Sequence, residues 1–204
     1  MSHQLSLTTI VATLLQPQRA FSALAADAPM AKSVFFGLAL WLGLLPPVFA
    51  YFGMSRFGWQ LGTVEAVFLP AGTIGLICTL YFAALLFGFV STALISRWMA
   101  VTYGATDALG AHFALLTIVG APMTVGSVMH LYPDVFLNIM VLAPCMAWSM
   151  FLLYRGMPVV LRTTPEQGML MASSLIAYLF VAFVSLIGIS TALWTFGIGP
   201  RLGV

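Results

Sequence analysis

The charged residues of the chain separate five long stretches that contain none. These uncharged stretches cover residues 33–55, 66–96, 108–133, 135–154 and 167–200. A helix needs roughly 20 mostly apolar residues to cross the hydrocarbon core of a bilayer. Each stretch is long enough for one crossing, and none is long enough for two crossings with a turn between them. We therefore predict five transmembrane helices, at about 34–53, 70–95, 108–129, 135–154 and 169–195.

Residues 1–32 follow a different pattern. Their apolar run is too short to span a bilayer and is interrupted at Gln16-Pro17. A secretory signal peptide would begin with a positively charged region, and this segment begins without one. A short amphipathic helix on the membrane surface fits the pattern better. The domain organisation that we predict is a cytoplasmic N-terminal segment at 1–32, followed by a five-span membrane domain at 33–204.

The composition narrows the fold class. Of 204 residues, 6% are charged and 62% are hydrophobic. An ordinary soluble domain has about 25% charged residues, and a disordered chain is rich in charge and poor in apolar residues. Seven basic residues spread over the chain do not form the basic surface that nucleic acid requires. Long continuous apolar runs differ from the alternating segments of a membrane barrel. We predict an all-α polytopic membrane protein, a bundle of five spans.

The positions of Lys and Arg predict the orientation, because cytoplasmic loops are enriched in these residues. The side that holds the N-terminal segment has five of them: Arg19, Lys32, Arg97, Arg155 and Arg162. The other side has two, Arg56 and Arg201. We therefore predict a cytoplasmic N-terminus and a periplasmic C-terminus.

Several residue patterns predict where the spans begin and end. Asp134 and Asp107 precede spans four and three as candidate N-caps. The sequence Thr164-Pro165-Glu166-Gln167 is typical of a capping box with proline at the first helical position. The sequence 154–158, with Gly156 followed by Pro158, predicts that span four ends there.

Small residues recur at helical spacing in three spans, among them Gly110, Ala114, Gly120 and Thr124 of span three. In span two they are Ala84, Gly88 and Thr92, and in span five they are Gly188 and Ala192. Such faces let transmembrane helices approach closely. We expect them to serve packing within the chain or, alternatively, self-association or contact with other membrane proteins.

The spans carry little candidate chemistry. An ionisable residue at mid-membrane is the usual sign of a functional site, and the acidic residues here lie at span ends. We expect His112 and His130 to lie near the two membrane interfaces, and Cys78 and Cys145 to be packing residues. We predict no catalytic, metal-binding or cofactor-binding residues, no cofactor and no enzymatic activity.

The loop between spans four and five is the most distinctive polar feature. Its candidate contact residues are Arg155, Gly156, Pro158, Arg162 and Glu166. Its basic residues fit an anchor that touches lipid headgroups. The alternative is a docking surface for a cytoplasmic or membrane partner.

Short motifs along almost the whole chain resemble the Yip (Ypt/Rab-interacting protein) family, and in particular its small bacterial inner-membrane branch. The motifs are Phe57-Gly58-Trp59, Gly120-Ala121-Pro122, Leu131-Tyr132-Pro133, Leu153-Tyr154-Arg155-Gly156-Met157-Pro158, Thr164-Pro165-Glu166-Gln167-Gly168 and Ser173-Ser174. The resemblance implies a five-helix protein of the bacterial inner membrane with a cytoplasmic N-terminus.

Eukaryotic members of this family are linked to small GTPases and vesicle traffic. Their acidic-Leu-Tyr-Gly-Pro motif precedes the first span and is absent here. The similar sequence Leu131-Tyr132-Pro133-Asp134 lies between spans three and four. We therefore do not infer GTPase binding for this chain.

Three hypotheses about function remain. The first is a non-enzymatic scaffold, interaction or accessory protein that contacts membrane lipids. The second is a small transporter or channel for a small solute, in which prolines within the spans open a path. The third is a membrane enzyme, which would require His130, Asp134 and Glu65 to converge on one pocket.

Overall fold

The computed structural model describes residues 16–60 and 65–196, and the chain forms six helices within these two ranges. They are α1 (Pro17–Ala26), α2 (Ala31–Phe57), α3 (Ala71–Ala100), α4 (Leu109–Leu131), α5 (Val135–Val160) and α6 (Pro165–Thr195). Helix α2 includes one π-helical turn, and α4 ends in a 3-10 turn. Helices α2 to α6 are each long and apolar enough to cross a membrane, which confirms the prediction of an all-α, five-span protein.

Short connections make the consecutive spans antiparallel. Only residues 132–134 separate α4 from α5, and only 161–164 separate α5 from α6. We call the end of the bundle where α1 packs the proximal end, and the opposite end the distal end. Helix α4 packs against α1, α2, α3 and α5 and is the most buried of the five spans.

The hydrophobic core lies in the proximal half, where α1 and all five spans each bury apolar side chains. Its most completely buried members include Phe21, Leu115, Ile118, Leu152, Met157, Met171 and Leu175. Between helices in lipid, this packing stabilises by van der Waals contact rather than by removal of apolar surface from water.

The distal half of α6 makes few contacts with the rest of the bundle. From Leu179 to Ala192, every residue except Ala182 is exposed. The proximal half of the same helix buries Met171, Ala172 and Leu175. One half of α6 is therefore part of the core, and the other half projects from it.

Helix α1 packs on the proximal end through one face, which buries Ala20, Phe21 and Leu24 against α4 and α5. The sequence predicted an amphipathic helix on the membrane surface. The part of that prediction that falls on residues 1–15 lies outside the described residues. The described part is a helix whose apolar face contacts the spans.

The prediction that α5 ends near Gly156 is wrong, because the helix continues to Val160. Gly156 is buried, and a Cβ atom there would lie 2.6 Å from a Leu115 methyl carbon and 2.9 Å from the Phe21 ring. Glycine at this position permits close packing rather than ending the helix. Pro158 faces Gly168 of α6, where a Cβ atom would lie 2.8 Å from the proline ring.

The predicted helix caps have different outcomes. Asp134 caps α5, since its Oδ1 accepts a hydrogen bond of 2.8 Å from the Leu137 amide, which confirms that prediction. Asp107 does not cap α4, whose N-cap position is Ala108 without a side-chain bond. Thr164 accepts from the Gln167 amide at 3.3 Å, but the Gln167 side chain accepts from Thr163 instead of completing the capping box.

Candidate functional site

The five candidate contact residues at the proximal end do not form one continuous surface. Arg155 and Glu166 are exposed, and the Arg155 guanidinium lies 5.6 Å from the centre of the Phe151 ring. Gly156 is buried, and Pro158 packs on α6. Arg162 is exposed as well, but its guanidinium is bonded to α1, so we regard Arg155 and Glu166 as the side chains available to a partner.

Arg162 connects the end of α5 to α1. Its guanidinium donates hydrogen bonds to the carbonyl oxygen of Ala25 through both Nε and Nη2. Its φ angle is 53°, a left-handed conformation that is common just after a helix but costs energy in a residue other than glycine. The hydrogen bond from Arg162 to α1 offsets this cost and so favours the left-handed conformation.

Arg155 and Arg19 line a cavity of about 370 Å³ between α1 and α5. Gln16, Pro17, Gln18 and Phe151 complete its walls. Gln16 also accepts a hydrogen bond of 3.1 Å from Arg19. Two guanidinium groups beside one cavity suit a phosphate or carboxylate group.

The small-residue faces on α3 and α6 differ in their surroundings. Thr92 is buried and donates to the Gly88 carbonyl at 2.6 Å, and Ala84 is half-buried. Gly188 and Ala192 lie on the exposed half of α6, and a Cβ atom at Gly188 would meet nothing within 4 Å. The face on α6 is therefore open to another molecule.

A polar cluster formed by His130, Asn138 and Tyr81 lies at the distal end. The Nδ1 atom of His130 lies 2.5 Å from Oδ1 of Asn138, and its Nε2 atom lies 3.4 Å from the Tyr81 hydroxyl. The three residues come from α4, α5 and α3. Their convergence could not be predicted from their spacing, because Tyr81 is far from the other two in sequence.

Backbone contacts hold His130 at this position. A Cβ atom at Gly53 would overlap with the carbonyl oxygen of His130, so glycine lets α2 approach the end of α4. The Gln60 amide donates to the Pro133 carbonyl at 3.1 Å, and the Val135 amide donates to the Gln60 carbonyl at 3.2 Å. These bonds attach the segment after α2 to the turn between α4 and α5.

A cavity of about 540 Å³ lies beside this cluster. Tyr81, His130, Asp134 and Asn138 provide its polar groups. The apolar part of the wall comes mainly from Ala50, Met54, Trp59, Met123, Ile139, Leu142, Ala143, Met146 and Phe183. Its size is typical of a site for a small molecule.

A second cavity, of about 230 Å³, shares Tyr81, His130, Met123 and Leu142 with the first. It also borders Leu42 and Gly43, whose carbonyls lack their usual donors because Pro46 and Pro47 have no N–H. Three hydroxyls along its wall donate to the backbone of their own helix, namely those of Thr117, Thr124 and Ser127.

The requirement of the enzyme hypothesis is met in part. His130 and Asp134 line the same cavity, whereas Glu65 is exposed and is not among the lining residues. Within residues 16–60 and 65–196, no group of three or more His, Cys, Asp or Glu side chains is placed to hold a metal ion.

His112 lies in the first turn of α4, and its side chain is fully buried. Its Nδ1 lies 2.8 Å from the Ser96 hydroxyl, and its Nε2 lies 2.9 Å from the Thr106 carbonyl. The carbonyl can only accept, so Nε2 carries the hydrogen and Nδ1 accepts from Ser96. This histidine connects α3, α4 and the turn between them.

Comparison with known proteins agrees with this architecture. The Yip1 domain matches residues 11–186 of the chain. Two relatives, both named inner membrane protein YohC and found in Escherichia coli K12 and Escherichia coli O6:H1, are 25% identical over 158 residues, which is 78% of this chain and 81% of each relative. No solved structure matches the chain significantly. The match to the Yip1 domain covers most of the sequence and all or part of every span, and the chain therefore belongs to the Yip1-domain family of membrane proteins.

Proposed function

We propose that this chain is a non-enzymatic interaction or accessory protein of the bacterial inner membrane, which associates with a second copy of itself through the distal half of α6. The observation that carries the proposal is the exposure, within the described part of the chain, of every residue from Leu179 to Ala192 except Ala182. Small residues at Gly188 and Ala192 give it the close-approach face that favours association of transmembrane helices. The location in the inner membrane rests on the family and on the YohC relatives.

A second copy is the partner that the exposed face fits best. Most oligomers are symmetric homo-oligomers, and a two-fold axis brings the same face of both subunits together. The Gly188 and Ala192 spacing of four residues lets two such helices cross with their backbones close. Ser185, one turn before Gly188 and also exposed, adds a hydroxyl to the same face.

Gly188→Ile tests this proposal, because a side chain at that position meets nothing in the chain itself. The oligomeric state is measured by single-molecule photobleaching of the labelled full chain in liposomes. We expect dimers for the natural sequence and monomers for Gly188→Ile. Gly72→Ile is the matched control, since Gly72 is also exposed and free of neighbours. A natural chain that stays monomeric at every protein-to-lipid ratio would contradict the proposal.

Contact with membrane lipids is the second part of the proposed role. Arg19 and Arg155 line one cavity, and paired guanidinium groups favour the phosphate of an anionic headgroup. We expect the purified chain to retain phosphatidylglycerol over phosphatidylcholine in native mass spectrometry, and Arg19→Gln with Arg155→Gln to abolish that preference. Arg97→Gln serves as the control, because Arg97 lies outside this cavity. Equal retention of the two lipids would argue against the contact.

A small transporter or channel is the alternative function. The two adjoining cavities around Tyr81 and His130 favour it. The close packing of Leu115, Leu152 and Met171 in the proximal half opposes it, because a path must cross the whole bundle. Glycerol or urea flux into proteoliposomes, followed by light scattering, tests this alternative. Flux equal to that of protein-free liposomes would exclude both solutes as substrates.

A further inference from the structure

The orientation of the Asn138 amide determines the hydrogen-bonding state of His130. The Asn138 nitrogen lies 2.8 Å from the Asp134 carbonyl and 3.1 Å from the Tyr132 carbonyl. Both carbonyls can only accept, so Nδ2 faces them and Oδ1 faces the imidazole. At 2.5 Å from that oxygen, the His130 Nδ1 must be the donor.

This assignment makes the Nε2 atom of a neutral His130 an acceptor. Within the described residues its one hydrogen-bond neighbour is the Tyr81 hydroxyl, at 3.4 Å. An O–H donor normally lies about 2.5–3.0 Å from its acceptor, so this contact is long. The imidazole is therefore able to accept a shorter bond from a molecule in the cavity that it lines.

The rest of the cavity wall defines the other properties of such a molecule. Leu142, Met146 and Phe183 are among the apolar side chains that face it, so most of the ligand must be apolar. Among the described residues that line the cavity there is no Lys or Arg, and Asp134 carries a carboxylate. A negatively charged ligand would have no cation to pair with and would lie near a carboxylate, which is unfavourable in an apolar site.

We infer that the distal cavity binds a neutral, lipid-like molecule with a hydroxyl group, which donates its O–H to Nε2 of His130 while its apolar chain packs against α5 and α6. Asn138 is a positioning residue in this site because it fixes the imidazole. Tyr81 lies at the junction of the two cavities and contacts the same nitrogen. The exposed half of α6 beside Phe183 leaves a side of the site open toward the membrane, from which such a molecule is supplied.

Photolabelling of the full chain tests this inference directly. The probe is 1-dodecanol with a diazirine in its alkyl chain, added to the chain in phosphatidylcholine nanodiscs, and labelled residues are located by mass spectrometry. We expect saturable labelling of α5 around Leu142 and Met146 and of α6 around Phe183. Excess 1-dodecanol should compete, whereas dodecane, dodecanoate and dodecyltrimethylammonium should compete weakly.

Variants of His130 distinguish the contribution of the hydrogen bond to binding from the contribution of filling the cavity. His130→Phe keeps an aromatic ring and removes the acceptor, and we expect apparent affinity for the alcohol to fall about three- to tenfold, the loss of one hydrogen bond. His130→Gln restores an acceptor and should recover part of the lost affinity. Leu142→Trp should abolish labelling by occupying the cavity. Circular dichroism and gel filtration verify that each variant is folded.

Four results would overturn the inference. They are labelling without saturation, equal competition by dodecane, preference for the anionic or cationic probe, and equal affinity in His130→Phe. Crosslinking of the cavity residues to a second copy of the chain would also overturn it, because the partner would then occupy the site. Gly188→Ile, which tests the proposed dimer, leaves the cavity lining unchanged, so the two proposals fail independently.

Discussion

Phe21 of α1 lies against Gly156 of α5, and a Cβ atom at position 156 would come within 2.9 Å of two carbon atoms of the Phe21 ring. The same atom would lie 2.6 Å from a methyl carbon of Leu115. Phe21 and Leu115 are almost completely buried. The absence of a side chain at Gly156 is therefore what allows α1, α4 and α5 to meet at one point.

Gly156→Ala should displace α1 from the proximal end. Overpacking of a filled core typically costs about 1–3 kcal/mol, and the shortest helix is the element that can move most easily. We expect faster tryptic cleavage after Arg19, which is exposed on α1, and reduced stability in SDS titration. Gly75→Ala is the control, since a Cβ atom there meets nothing within 4 Å.

A second variant distinguishes displacement of α1 from general damage to the fold. Adding Phe21→Ala to Gly156→Ala removes the ring that would clash with the new Cβ atom at position 156. If the contact with Phe21 is decisive, the double variant should be less destabilised than the sum of the two single variants. Strict additivity would show that Leu115 alone accounts for the cost.

Two aspartates allow a comparison of helix capping. Asp134→Ala removes the bond from the Leu137 amide and should destabilise the chain by about 1 kcal/mol, a typical cost for a lost N-cap. Asp107→Ala should have little effect, because in the described part of the chain the N-cap of α4 is Ala108, with no side-chain cap bond. Reversible SDS unfolding followed by tryptophan fluorescence measures both. A larger loss for Asp107→Ala would contradict the assignment of the caps.

The number and approximate positions of the five spans could be predicted because the bilayer excludes charge and every span needs a similar apolar length. The end of α5 could not be predicted in this way, because Gly156 and Pro158 are typical of a helix end when only the local sequence is considered. Their role depends on Phe21 and Gly168, which come from other helices. Asp134 and Asp107 show the same limit, because both precede a span and only one of them caps it.

The candidate site was predicted less well than the fold. His130 and Asn138 are eight residues apart at the two sides of one turn, a separation that makes contact possible. Tyr81 lies 49 residues before His130, and no local pattern connects them. The cavity also borders Phe183, in the half of α6 whose apolar side chains are exposed. Tertiary packing, rather than composition, separates the two halves.

Ser96→Ala and Ser149→Ala should have opposite effects on stability. Ser96 donates to buried His112, so its removal leaves an imidazole nitrogen without a donor, at a cost of about 1–3 kcal/mol. The hydroxyl of Ser149 is buried without a hydrogen-bond partner among the described residues. Its removal should be neutral or stabilising. SDS unfolding of the two variants against the natural chain checks this, and equal destabilisation would disprove the proposed role of His112.

The distribution of basic residues predicts the orientation of the bundle, and reporter fusions test this prediction. The proximal end carries Arg19, Arg97, Arg155 and Arg162 in or beside its helix ends, whereas Arg56 lies at the distal end. The positive-inside rule then assigns the proximal end to the cytoplasm. Alkaline phosphatase, which is active only after export, should be inactive when fused after Gly104 and active when fused after Gln60. A fluorescent protein that folds only in the cytoplasm should give the reverse result.

Adding basic residues to the distal end provides a second and stricter test of the same charge argument. Gln60→Arg combined with Trp59→Lys would raise the positive charge beside Arg56 without changing the length of any span. We expect part of the population to invert or to insert incompletely, and phosphatase activity after Gln60 to fall in proportion. The matched variant Gln60→Glu with Trp59→Asp should leave the orientation unchanged, because acidic residues contribute little to the rule. Loss of activity in both variants would contradict the charge argument, because the acidic pair adds no positive charge.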